Sequence, residues 1–159
     1  MKTKIIVGVI IVMAIFLNQS YFFVSVDERP IIMLRAADGL DFKIRFIHSV
    51  QRTPVEEYFS ITEDKQFRLT KTKYQSFGVG LPFLEQEGRF HQEGNYFIME
   101  MSRIYPELSL RTGVDSKLTI YLQNQEYKLY ELFPLGTKFD IYIAPLYNVI
   151  WRNDNAKFK

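Results

Sequence analysis

The chain has no cysteine, which excludes disulfides, thiol nucleophiles and zinc–thiolate centres. Histidine is nearly as scarce. His48 and His91 are the only two, neither has a second ligand at metal-binding spacing, and no metal site is expected. His91 lies among Arg89, Gln92 and Glu93 and reads as a solvated loop residue. Charge of one sign is also lacking. The 20 basic residues exceed the 18 acidic ones only through Lys2 and Lys4, so the chain beyond Val26 is formally neutral. Without a basic stripe to neutralise phosphates, nucleic acid is not an expected partner. The glycines of SFGVGLP (residues 76–82) lack the Lys-Ser/Thr ending of a P-loop and the third glycine of a dinucleotide fingerprint, so no cofactor is indicated. Repeats, linkers and low-complexity stretches are missing too, which leaves one domain.

What the chain does have is aromatic bulk, with 14 Phe and 10 Tyr, and a leader. Lys2 and Lys4 precede an uncharged run over residues 5–17, and low polarity resumes over 21–26 after Asn18, Gln19 and Ser20. A spanning helix needs about 20 residues, which the run supplies by taking that polar trio near its outer end. Residues 1–26 are therefore expected to be an uncleaved signal-anchor helix. The alternative is a cleaved secretory signal, although neither a small-x-small site nor a lipidation cysteine is visible. The positive end stays inside. The expected location is the cell membrane, single-pass, with residues 27–152 outside the cytoplasm and residues 153–159 a polar tail.

Past the leader, short apolar-alternating runs separated by turn signals predict an all-β domain, an antiparallel β-sandwich or partly closed barrel. Strands are expected over residues 31–35, 66–74, 95–101 and 108–111, at 118–123, 126–133 and 139–143, and at an edge over 146–151. Residues 75–94 are too rich in Gly and Pro for a long regular element. Asp38-Gly39 marks a turn into the most distinctive stretch.

That stretch, FKIRFIHSVQRTPVEEYF (residues 42–59), is where ionisable groups fall on an apolar pattern. Phe42, Ile44, Phe46 and His48 share one face of a strand; Val55, Glu57 and Phe59 share one face of the next. A hairpin with a loop over residues 49–54 pairs His48 with Val55 and Phe46 with Glu57, making His48 and Glu57 diagonal neighbours. Pro54 suits a strand's first position, where no ladder donor is missed.

HSVQRTPVEEYF (residues 48–59), YQSFGVGLP (74–82) and ELSLRTG (107–113) together closely resemble the bacterial domain of unknown function 1850 family, over about residues 30–145. The resemblance implies a small exported protein, encoded beside or fused to membrane subunits of tripartite ATP-independent transporters with TAXI-type receptors. It carries no established activity. Because it rests on the first two motifs together, they are expected to be neighbours in space.

His48 and Glu57 are the candidate acid–base pair, with a satisfied polar network that fixes strand register as the competing reading. Arg52, with Ser49 and Thr53, can clamp a carboxylate or pair with Glu56 or Glu57. The glycines Gly78 and Gly80, with Tyr74 and Ser76, are expected to fold over the His48 motif. The expected function is an exported, membrane-tethered binding module, accessory to solute transport, using His48, Ser49, Arg52, Thr53, Glu56, Glu57, Tyr74, Ser76, Gly78 and Gly80. Its partner is a transporter subunit or a small carboxylated solute. The alternatives are a small hydrolase or isomerase using His48 and Glu57, and a structural envelope module.

Overall fold

The computed structural model describes residues 2–78, 81–82 and 84–148. A helix α1 (Lys2–Leu17) leads into the hairpin of β1 (Ser20–Val26) and β2 (Arg29–Arg35). The chain then crosses to a meander of β3 (Asp41–Ile47), β4 (Pro54–Ile61) and β5 (Phe67–Tyr74). A 3₁₀ turn (Glu85–Glu87) precedes β6 (Arg89–Glu93) and β7 (Tyr96–Tyr105). There follow β8 (Glu107–Arg111), β9 (Thr119–Leu122), β10 (Gln125–Lys128), the short helix α2 (Leu129–Leu132) and β11 (Lys138–Pro145).

These strands form two sheets, one of order β2-β1-β11-β8 and one of order β10-β9-β3-β4-β5-β7-β6. Every pairing is antiparallel, and neither sheet closes into a barrel. The expected all-β class is present, as two sheets with a shared core. Phe22 from the smaller sheet meets Phe42 and Phe67 of the larger at ring-centroid distances of 5.1 and 5.9 Å. Val24, Phe139 and Ile141 join Ile44, Phe59 and Ile120 in the same cluster. Each buried large apolar side chain contributes about 1.5–3 kcal/mol, and such edge-on aromatic pairs add about 0.5–1.5 kcal/mol. Two hairpin turns take positive φ at both central residues: Asp27 and Glu28 (48° and 64°), and Gln123 and Asn124 (48° and 64°). That geometry matches the strands' right-handed twist.

Four expectations need correction. The leader helix ends at Leu17, and residues 20–26 are β1, with Phe22, Phe23 and Val24 fully buried between β2 and β11. The aromatic and β-branched content of YFFV is better satisfied in a sheet than in a helix. Sixteen helical residues span about 24 Å against a hydrocarbon core of about 30 Å, and among the described residues no helix is long and apolar enough to cross a membrane. The strand expected over 126–133 stops at Lys128, where the chain turns into α2 and buries Leu129 in the core. His91, expected in a loop, lies on the five-residue edge strand β6, while the segment 75–94 otherwise holds no long regular element among the described residues. Residues 146–148 are helical rather than extended, and the rest of that expected edge strand, like the tail 153–159, lies outside the described residues.

Candidate functional site

The β3–β4 loop is built around His48. Its backbone N–H donates to Thr53 O at 2.9 Å, and its carbonyl accepts from Arg52 N at 2.8 Å. Its ring Nδ1 accepts from the backbone N–H groups of Val50 (3.3 Å) and Gln51 (3.2 Å). An imidazole nitrogen that accepts carries no proton, so these donors assign the proton of the neutral ring to Nε2. Arg52 closes the loop in the left-handed region at φ 52°.

This closure sets a register two residues away from the expected one. Phe46 pairs with Val55, Ile47 with Pro54, and Ile44 with Glu57. Pro54 does start its strand, but His48 is drawn into the loop. Glu57 lies four residues back along the hairpin, roughly 13 Å at the rise of a strand. His48 and Glu57 are therefore not diagonal neighbours, and no acid–base pair is assembled. A loop that satisfies His48 on its own backbone outweighs the ladder bonds the alternative register would gain.

The two motifs do meet. A side-chain carbon placed on Gly78 would stand 2.9 Å from Cε1 and Nε2 of His48 and 3.3 Å from Cγ of Gln51. Glycine is what allows the segment after β5 to lie on the ring, and His48 is left only 8% exposed. The same segment is pinned further along, where the buried Tyr74 donates its hydroxyl to Pro82 O at 2.6 Å. Leu81 packs with Val55 and Tyr74, and Phe46 and Phe97 flank them. Tyr74 thus holds the segment and offers no ligand surface. Ser76 is half-buried beside it, and Gly80 lies outside the described residues.

Glu57 faces the core side of the larger sheet, between Ile44 and Thr72. Burial pushes its carboxyl above the ordinary value, and Arg103 offsets this only in part. Arg103 is itself tied to Glu87 of the 3₁₀ turn at 2.9 Å. The neighbouring Thr72 hydroxyl is buried without a hydrogen-bond partner among the described residues, as is that of Thr53.

Glu56 points the other way, accepting from Tyr58 Oη at 2.6 Å and Lys43 Nζ at 3.1 Å. Burial raises its carboxyl, but the bonds from Tyr58 and Lys43 outweigh that and leave it below the ordinary value. Arg52 reaches neither Glu56 nor Glu57 among its ion pairs. Its guanidinium lies 3.9 Å from Asp115, with both side chains exposed.

Exposed apolar side chains lie on the His48 loop and on the segment after β5. Val50 is 69% exposed at the loop tip, beside the exposed Ser49, Gln51 and Arg52. Phe77, 51% exposed, packs on Phe97 with centroids 4.3 Å apart and reaches Phe90 of the edge strand at 6.0 Å. Leu84 is exposed on the same segment. Among the described residues no group of three or more His, Asp or Glu side chains is placed to hold a metal.

No curated protein and no solved structure matches the chain. A family model, described as a domain of unknown function, matches residues 42–129. The match takes in all seven strands of the larger sheet apart from Asp41, together with the His48 loop and the Gly78 segment, and leaves α1, β1, β2 and β11 outside. More than half of the chain is covered, and it belongs to the domain of unknown function 1850 family.

Proposed function

We propose that the chain is an exported, membrane-tethered binding module, accessory to a solute transport system, that recognises a loop of a partner protein. The observation that carries the binding reading is the pair of exposed rings Phe77 and Phe90, packed on Phe97, on the segment that lies against a His48 loop held by its own histidine and tipped by the exposed Val50. An apolar patch rimmed by polar residues on a preorganised loop is what partner recognition requires. An enzyme would instead need His48 and Glu57 opening into one cavity, and the hairpin register separates them. Arg52, whose exposed guanidinium has a solvated ion pair with Asp115 as its ion pair among the described residues, is available to a partner carboxylate.

The tether is α1. Its side chains from Ile5 to Phe16 are apolar and exposed all round, with Lys2 and Lys4 at the start, so the helix has no apolar cover among the described residues. Lipid supplies that cover in this reading. The transport link rests on the family resemblance.

The test is co-isolation from detergent-solubilised membranes, using the tagged full chain and probing for the transporter's membrane subunit. Val50→Asp and Arg52→Ala, both at exposed positions, should lower recovery while leaving the urea midpoint in place. Equal recovery by wild type and both variants would remove this surface from the contact.

A further inference from the structure

The outward face of the larger sheet carries a cluster of lysine and tyrosine side chains apart from the His48 loop. The registers place Glu126, Tyr121, Lys43, Tyr58, Lys71 and Glu100 in one continuous row across β10, β9, β3, β4, β5 and β7. Paired residues in antiparallel strands project to the same side, so cations alternate with tyrosine rings along this row. Lys43 Nζ lies 4.3 Å from the Tyr121 ring centroid and 5.6 Å from that of Tyr58; Lys71 Nζ lies 4.2 Å from Tyr58. Flexible ammonium groups are thereby held in place before any ligand arrives.

The row is also concave. A cleft of about 690 Å³, within the range of small-molecule sites, is lined by Lys43, Tyr58, Lys71 and Tyr121, with the β9–β10 turn as one wall. The opposite wall depends on an irregularity in β5: Tyr58 pairs with Lys71 and Phe59 with Leu69, so Thr70 is an extra residue whose hydroxyl donates to Tyr58 O at 3.1 Å. Such bulges re-aim the neighbouring side chain.

The lining holds two ammonium groups, Lys43 and Lys71, and two carboxylates, Asp41 and Glu126, and the two ammonium groups differ in their partners. Glu56 holds Lys43, whereas Lys71 has no carboxylate within 4 Å among the described residues. Asp41 and Glu126 lie in the lining on the β9–β10 side, with Glu126 taken by the Tyr121 hydroxyl at 2.9 Å.

We propose that this cleft binds a small organic carboxylate, its anionic end between the ammonium groups of Lys71 and Lys43 and its apolar body against the tyrosines. Two preorganised cations, one of them with no carboxylate within 4 Å among the described residues although Glu100 stands opposite it in register, select the anion; the aromatic walls select a body that inorganic anions lack.

The experiment is calorimetric titration of the full chain in detergent micelles with benzoate, hexanoate, benzamide and inorganic phosphate as probes. A carboxylate should bind saturably with Kd around 1 mM, a fragment's affinity, and uncharged benzamide should not. Lys71→Gln should weaken binding about tenfold, and Lys43→Gln more, since it also leaves Glu56 with Arg45 at 4.0 Å as its remaining ion pair. Lys138→Gln on the other sheet serves as a control that leaves it unchanged. Far-UV circular dichroism checks that each variant is folded, and Lys71→Met replaces Lys71→Gln if the latter is not. No saturable binding of benzoate or hexanoate, equal affinity after loss of Lys71, or displacement by phosphate as effective as by benzoate would each overturn the assignment.

Discussion

Replacing Gly78 by alanine puts a methyl group 2.9 Å from two atoms of the His48 ring, so the ring must retreat by about 0.5 Å to reach the 3.4 Å at which ordinary contact begins. The ring is not a free side-chain end, because its Nδ1 is held by Val50 N at 3.3 Å and Gln51 N at 3.2 Å. Either the ring leaves its two donors or the loop moves with it. At about 0.5–1.5 kcal/mol for each neutral hydrogen bond, Gly78→Ala should cost about 1–3 kcal/mol. For a chain of this size each kcal/mol corresponds to a Tm decrease of about 2–4 °C. His48→Ala alone removes the same two bonds and should cost a similar amount. Combined, the methyl group enters space the imidazole has vacated, so Gly78→Ala should cost almost nothing in the His48→Ala background. Urea unfolding of wild type, both single variants and the double variant closes the cycle, with an expected interaction free energy of about 1–3 kcal/mol. Additivity within about 0.5 kcal/mol would mean that the two motifs do not touch in solution and would refute the contact on which the site is built.

Further outcomes follow from the same geometry. Arg52 sits at φ 52°, and among the described residues its side chain makes one solvated ion pair, so Arg52→Gly should be more stable than Arg52→Ala by about 1 kcal/mol in urea; the reverse order would exclude the left-handed loop. Glu57 is raised by burial, so the folded chain binds a proton that the unfolded chain has already released, and stability contributed below the ordinary carboxylate value is lost as pH rises through the folded one. Glu57→Gln should therefore gain on wild type as pH rises from 4 to 8, and a wild type that gains on Glu57→Gln would place the carboxylate in solvent. Thr72→Val removes a buried hydroxyl with no partner among the described residues, and its urea midpoint should hold or rise by the equivalent of up to about 1 kcal/mol; a loss above that would reveal a hidden partner.

The placement of β1 bears on the leader. Removing residues 1–26 would take away the strand that joins β2 to β11, together with Phe22, Phe23 and Val24. Removal of residues 1–17 alone leaves the sandwich intact, so a chain starting at residue 18 is the one whose release from membranes tests the tether.

Alternation along Phe42, Ile44 and Phe46, along Leu118, Ile120 and Leu122, and along Phe139, Ile141 and Ile143 was enough to make this an all-β chain, because burial on one side of a pleated strand writes a period of two directly into the residues. Composition likewise disposed of thiol chemistry, and the paired motifs pointed to one family and to a contact between His48 and Gly78. Where Tyr21 to Val26 belong was not legible, since an apolar run suits a spanning helix and a strand buried on both faces alike. Nor was the hairpin register: a two-residue slip preserves every face, and the loop closure decides between the alternatives, with Val50 and Gln51 on the His48 ring and the His48 backbone bonded to Thr53 and Arg52. The row of Tyr121, Lys43, Tyr58 and Lys71 was the least accessible of all. Its members come from four strands, each unremarkable on its own outward face, and they become neighbours only when strand order and the extra residue at Thr70 bring them side by side.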